Sequence, residues 1–412
     1  MIDVKLRAAG LLCGLVLSLA TCLSACSPVG IAEAGGNIGS GVSEGVSHGV
    51  GLFGGGSDAP AHSTPIFVVS TRRDGVNSTQ LTPGGQARYA LDFISVPPGH
   101  QAGAMEKPVF GAADSSHHFV VADHSPLEEE TFRSQIASHV SGRIGVNRDV
   151  LVYVHGFNTS LEQARFRLAQ IVVDGQFGGV PVLFTWPSKA ALLAYGADKE
   201  SATASRDAYL KLLEDLSVTP GVGRIHILAH SMGTWLTMEA LRESALTGSP
   251  DLHGKLGNVM LAAPDIDLTV FKNQMQRLDP SHFSVYVSKG DRALQVSASI
   301  QGDRRLGSID PGSEQDREMI ESLGVKVFDI SDLSTGLIGH DNYADAPLAV
   351  RQIGAKMTEA RPAEAGEQAV IDAGADRTPH PPAPPPGSVI SQDLPAPAMT
   401  PDAAASAAPE AK

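Results

Sequence analysis

Cysteine is scarce in this 412-residue chain: there are three, Cys13, Cys22 and Cys26, all near the start. The remainder therefore carries neither a disulfide framework nor a cysteine-based metal site. Basic residues are also in deficit, 31 against 45 acidic ones, for a formal net charge of −14. No basic cluster is present that could follow a phosphate backbone, so nucleic acid is not an expected partner. No H-E-x-x-H or comparable ligand spacing occurs, which argues against a catalytic metal. The chain also lacks G-x-x-x-x-G-K-[ST] and any G-x-G-x-x-G that opens a helix after a strand, so no nucleotide cofactor is implied. Internal repeats and heptad runs are missing as well.

What is present at the two ends is compositionally biased. Lys5 and Arg7 precede an apolar stretch over 8–23 that ends in small residues, as a secretory signal does, and that is short for a membrane span. Leu23-Ser24-Ala25-Cys26 resembles the lipobox of bacterial lipoproteins, which implies a signal peptide over 1–25 and acylation of Cys26. Multiple acyl chains would make that attachment to a membrane durable, because each buried methylene contributes about 0.8 kcal/mol. Ser27 resembles the sorting context for the outer membrane, so the expected location is the bacterial cell envelope, lipid-anchored and facing the periplasm. The alternative is an ordinary signal peptide or an uncleaved anchor, with Cys26 incidental. Glycine dominates 26–63, a composition that favours a flexible tether. Residues 358–412 are rich in alanine, proline and acidic groups, including the proline run over 381–386, and are expected to form a solvated, disordered tail with polyproline character. A protein partner for the proline run is the other reading of that segment.

Between the ends, short β-rich apolar runs alternate with longer segments of helical period. That alternation predicts one α/β domain over 64–357, a mostly parallel sheet with helices on both faces. Candidate strands lie at 66–70, 90–96, 150–154, 180–185, 225–229, 259–262, 283–288 and 325–330. Several are apolar at both parities, as strands covered on both faces require. After Thr159, one helical face gathers Leu161, Ala164, Leu168, Ile171 and Val172; from Ala204 another gathers Ala208, Leu212, Leu213 and Leu216. Both read as crossover helices.

The most specific local pattern is Ala229-His230-Ser231-Met232-Gly233, which follows the apolar run Ile225 to Leu228 and opens a helix-like segment. Strand, tight turn and helix in that order mark a nucleophile elbow, a turn that lifts a serine hydroxyl clear of the sheet edge. Small residues at Ala229 and Gly233 let helix and strand approach closely, and Ala229 departs from G-x-S-x-G at its first position. Upstream, Val150 to Val154 runs directly into His155-Gly156-Phe157-Asn158, a turn after a buried strand.

Taken with Ser95-Val96-Pro97-Pro98-Gly99-His100, Phe184-Thr185-Trp186-Pro187-Ser188 and Leu261-Ala262-Ala263-Pro264-Asp265, these motifs resemble the α/β-hydrolase superfamily, and within it a bacterial group of serine esterase or lipase-like proteins. The resemblance covers roughly 64–357. It implies an α/β-hydrolase fold with Ser231 as nucleophile and with an oxyanion hole made by the N–H of Met232, after the nucleophile, and of Phe157, in the loop after the earlier strand. The acid and the base then follow in the order Ser, acid, His. Asp291, in Lys289-Gly290-Asp291, stands at a carboxyl-terminal strand edge and is the favoured acid, with Asp265 and Asp267 as rivals. Among 14 histidines, His340 lies past the last expected strand and is the expected base; His155 and His230 belong to the loop and the elbow, and His226 to a strand. Phe157, Met232 and Trp186 are expected to offer a wall suited to an acyl chain, ordinary packing being the alternative. The implied activity is hydrolysis of a carboxylic ester without cofactor, a lipid ester at the membrane being one form of that substrate. A scaffold that binds an envelope partner without catalysis, and a peptidase or amidase using the same three residues, stay open.

Overall fold

The computed structural model describes residues 62–73, 78–301, 304–333 and 340–358, all within one compact unit. Cys26, the expected signal peptide, nearly all of the expected tether and all but the first residue of the expected tail lie outside them. Among the described residues no helix is long and apolar enough to cross a membrane.

Among the described residues nine strands form one sheet: β1 His62–Ser70, β2 Arg88–Val96, β3 Val120–Leu127, β4 Val150–Val154, β5 Val180–Thr185, β6 Ile225–His230, β7 Leu256–Ala262, β8 Phe283–Val287 and β9 Lys326–Asp329. Their order is β3-β2-β1-β5-β4-β6-β7-β8-β9. β1, β2 and β3 pair antiparallel, and every other neighbouring pair is parallel. This is the α/β-hydrolase fold expected from the sequence. The parallel strands are apolar at both parities because both faces are covered. Val150, Val152 and Val154 pack with Phe132, Leu212, Leu216 and Leu236 on one side, whereas Leu151 and Tyr153 pack with Leu168, Ile171, Ile353 and Met357 on the other.

The helices that supply those layers are α1 Glu129–Val140, α2 Leu161–Asp174, α3 Tyr195–Ala204, α4 Arg206–Val218, α5 Met232–Leu246, α6 Leu268–Met275, α7 Arg292–Gln301, α8 Glu314–Leu323, α9 Asn342–Asp345 and α10 Pro347–Thr358. α2 begins where its sequence directs: the Ser160 hydroxyl accepts from the Gln163 N–H while the Gln163 side chain accepts from the Ser160 N–H, a reciprocal capping box. Leu161, Ala164, Leu168 and Ile171 are buried along it, as the period predicts, with Val172 at the margin.

The connection from β4 leads to β5 on one side, and the connection from β6 leads to β7 on the other. The chain thus reverses its winding between the neighbours β4 and β6, and the crevice beyond their carboxyl ends is where open α/β sheets hold ligands. Both sequence motifs of interest, His155-Gly156-Phe157 and Ser231, emerge at that crevice.

The Ser95 to His100 motif forms a clip at the end of β2. Both His100 ring nitrogens face carboxylates, Nδ1 to Glu106 at 2.8 Å and Nε2 to Asp174 at 3.0 Å, and Gly103 N–H donates to the other Asp174 oxygen. Burial pulls the His100 pKa down, but the hydrogen bonds and charges of Asp174 and Glu106 outweigh it and the net direction is upward.

Candidate active site

Ser231 separates the last residue of β6 from the first of α5, and its backbone is held at φ 51°, ψ −122°. For a residue with a Cβ this left-handed region is strained, at a cost of about 1–3 kcal/mol, and such strain gathers at functional sites. The neighbours enforce it. Ser231 N–H donates to Ala262 O on β7, and a Cβ on Gly233 would sit 2.5 Å from His155 O and 2.6 Å from Val154 O, so only glycine lets α5 start this close to β4. Across the crevice, a Cβ on Gly156 would lie 2.8 Å from the Ser231 Cβ. Ala229, the departure from the usual motif, is fully buried in β6 between Val154 and Leu261, so its methyl is packed without displacing either strand.

The loop after β4 faces the elbow. Met232 is the first residue of α5, where an amide has no intrahelical acceptor, and among the described residues neither its N–H nor that of Phe157 donates to a protein acceptor. His155 holds this loop from beneath: its Nδ1–H donates to Gly156 O at 2.9 Å, and its Nε2 accepts from Thr185 Oγ1 at 2.9 Å and from Trp186 N–H at 3.3 Å. Burial, with Arg72 nearby, pushes the His155 pKa down to about 3, so the ring is neutral and its tautomer fixed. Trp186 stacks on His155 at 4.9 Å and donates from Nε1 to His155 O. It is completely buried, so it braces the loop and does not form the acyl-chain wall expected of it; its indole N–H needed an inward partner. Met232 is buried as well, and Phe157, partly exposed, packs its ring 5.4 Å from Tyr195.

Asp291 follows β8 and is fully buried. One carboxylate oxygen caps α7 by accepting from Leu294 N–H at 3.0 Å, and the other meets His340 Nδ1 at 2.6 Å. The structure therefore brings the favoured acid and the expected base together across 49 residues of chain. Burial pulls the His340 pKa down, but the hydrogen bond to Asp291 and the charges of Asp291, Asp341 and Asp265 outweigh it, leaving the net direction upward. His340 in turn lies against the elbow, its ring 4.6 Å from that of His230.

The rival acids have other work. Asp267 caps α6, accepting from the Thr269 and Val270 N–H groups. Asp265 accepts from Tyr195 Oη at 2.7 Å and Ser297 Oγ at 2.6 Å, and pairs with Arg305 Nε at 3.3 Å. All four side chains of this cluster are buried, and the Asp265 N–H reaches Ser231 O at 3.4 Å, so the cluster underlies the elbow. Sequence reasoning missed Tyr195, Ser297 and Arg305 because they lie 32 to 70 residues from Asp265 and no motif links them; the one signal was that a buried aspartate after β7 would need partners. Among the described residues, no group of three or more His, Cys, Asp or Glu is placed to hold a metal ion.

Residues 128–358, more than half of the chain, match the family described as alpha/beta hydrolase of unknown function (DUF900). No curated protein matches the chain. Solved structures that resemble it include an esterase from Pyrobaculum calidifontis, 11% identical over 73% of this chain and 87% of that one with a TM-score of 0.36. Carboxyl esterase 2 from Tuber melanosporum is 12% identical, with 73% and 86% coverage and a TM-score of 0.36. At these values the likeness says nothing of what this chain acts on.

Proposed function

Because the chain belongs to the family of alpha/beta hydrolases of unknown function that its residues 128–358 match, we propose that it is a serine hydrolase cleaving carboxylic esters through an acyl-serine intermediate. The observation that carries this reading is the strained serine at the β4/β6 crevice with the His340–Asp291 pair beside it. Strain at Ser231 is costly, and an aspartate capping a helix with one oxygen and orienting a histidine with the other is the arrangement that an activated hydroxyl requires.

In the proposed reaction His340 Nε2 takes the Ser231 proton as Oγ attacks the ester carbonyl. Asp291 accepts from Nδ1–H, which fixes the tautomer and stabilises the imidazolium. The amides of Met232 and Phe157 receive the oxyanion; each such donor contributes about 10²- to 10³-fold in rate because it is aimed in advance at the developing charge. His340 then protonates the leaving alcohol, and a water repeats the cycle to release the acid. The test is a panel of matched esters, thioesters and amides with the purified protein. Turnover of esters well above that of amides is expected, and amide turnover equal to ester turnover would overturn the ester assignment.

The place of action is proposed from Cys26, as a lipid anchor at the bacterial outer membrane. Cys26→Ser is expected to release the protein from membranes and to remove the acyl mass from its mature form; unchanged fractionation and mass count against the anchor.

A further inference from the structure

The hydrogen bond that His340 makes to Asp291 fixes its ring on one side, but it leaves open what sets the distance from that ring to Ser231. Among the described residues His340 belongs to no strand or helix and stands two residues ahead of the short α9. The His230 ring supplies a tie. His230 ends β6, directly before Ser231, and its Nε2–H donates to the His340 carbonyl oxygen at 3.2 Å, across 110 residues of chain. The same ring stacks on Tyr343 of α9 at 4.5 Å and 30°, and Tyr343 Oη bonds Tyr153 Oη of β4 at 2.9 Å. On its other side it lies against Gly156, where a Cβ would come within 2.9 Å of His230 Nδ1. One buried ring therefore touches the oxyanion loop, the elbow and the segment that carries His340.

Resting on the serine-hydrolase reading above, we infer that His230 is a positioning residue: by holding the His340 backbone to the elbow, it sets the reach of His340 toward the Ser231 hydroxyl. The bond demands that Nε2 carry a proton, and in a neutral ring Nδ1 is then bare. Titratable and charged groups facing this ring are His155 on the loop after β4, His340 and Asp341 ahead of α9, Tyr343 on α9 and Arg167 on α2; those facing His340 are His230, Asp291, Asp341 and Asp265. Burial pushes the His230 pKa down to about 3, and the neighbouring His340 pushes it the same way against the opposing charge of Asp341. His230 thus remains neutral and keeps donating when His340 takes up a proton during turnover. A second imidazolium there would repel the first.

Two substitutions of similar size separate this role from simple packing. A glutamine amide nitrogen falls near the imidazole Nε2 position, and an asparagine amide nitrogen falls near Nδ1, so His230→Gln retains a donor for the His340 carbonyl and His230→Asn does not. His230→Gln is expected to keep kcat within about 5-fold of wild type, and His230→Asn to lose about 10²-fold in kcat with KM little changed, the cost of a reacting group displaced by about 1 Å. Equal kcat in the two variants, or a loss confined to KM, overturns the proposal. Should neither variant fold, imidazole NMR of the wild-type protein decides: His230 is expected as the neutral Nε2–H tautomer throughout the titration of His340, and an Nδ1–H tautomer overturns the proposal because it cannot donate to that carbonyl. Ser231→Ala run alongside distinguishes the two levels. If Ser231→Ala still turns over, the serine reading fails; if it is inactive while the Gln and Asn variants are alike, positioning alone fails.

Discussion

Replacing Ser231 with alanine is expected to lower kcat for a short-chain activated ester by about 10⁶-fold, with the melting temperature nearly unchanged. The kinetic part follows from the chemistry: without Oγ no acyl-enzyme forms, and what remains is binding and whatever the amide donors give to direct attack by water. The stability part follows from the backbone. Alanine at φ 51° keeps the strain that serine carries, and among the described residues the Ser231 hydroxyl holds no hydrogen bond whose loss would cost anything. Ser231→Gly makes the same point from the other side. Glycine relieves about 1–3 kcal/mol of strain and gives back about 0.5–1 kcal/mol through the more flexible unfolded chain, so that variant is expected to be inactive and at least as stable as wild type. A Ser231→Gly variant that melts well below wild type would mean that the elbow is not under strain.

The second large effect belongs to Asp291. Asp291→Asn preserves the shape of the side chain and its acceptor for the Leu294 N–H, but turns an amide toward His340 Nδ1. The histidine is then driven to the tautomer that carries its proton on Nε2, which cannot receive one from serine, and kcat is expected to fall about 10⁴-fold. The pH profile should move as well. In the proposed reaction His340 acts as a base only when neutral, so activity is expected to fall as pH drops through its pKa, which in the wild type is raised above the ordinary histidine value. Asp291 is among the groups that raise it, so the acid limb of kcat/KM is expected above the ordinary histidine value in wild type and displaced to lower pH in Asp291→Asn. Asp265→Asn provides the contrast. It unpairs buried Arg305, which costs about 3–5 kcal/mol of stability when a buried ion pair is broken, yet it leaves the hydrogen bond that orients His340 intact. A 10⁴-fold loss from Asp265→Asn in folded protein, with Asp291→Asn near wild type, would exchange the two assignments.

How far the sequence discloses this molecule depends on where each signal comes from. β4 and β5 begin and end where the sequence places them, because a short apolar run buried on both faces stops where the burial stops. β1, β2 and β7 extend a few residues further than their apolar runs, because ladder partners continue the pairing beyond the apolar stretch. β3 is invisible in the sequence: Val120 to Leu127 includes Asp123, His124 and Pro126, is nowhere fully buried, and becomes a strand only by pairing with β2 at the sheet edge, around a bulge at Phe93 and Ile94. The site divides similarly. The elbow is local, so five residues suffice to single out Ser231 as the candidate, and chain order singles out Asp291 and His340, which meet at 2.6 Å. Trp186 misled because a tryptophan near a strand end looks like a pocket wall until the partner of its indole N–H is known. The bonds of Asp265 to Tyr195 and Ser297, and of His230 to His340, span 32 to 110 residues and leave no periodic trace.

The central claim, that Ser231 is an activated nucleophile, is tested most directly by a fluorophosphonate probe followed by mapping of the modified peptide. The account predicts phosphonylation of Ser231 in the wild-type protein and no labelled residue in Ser231→Ala. A wild-type protein that stays unlabelled, or a label on another residue that persists in Ser231→Ala, would contradict it.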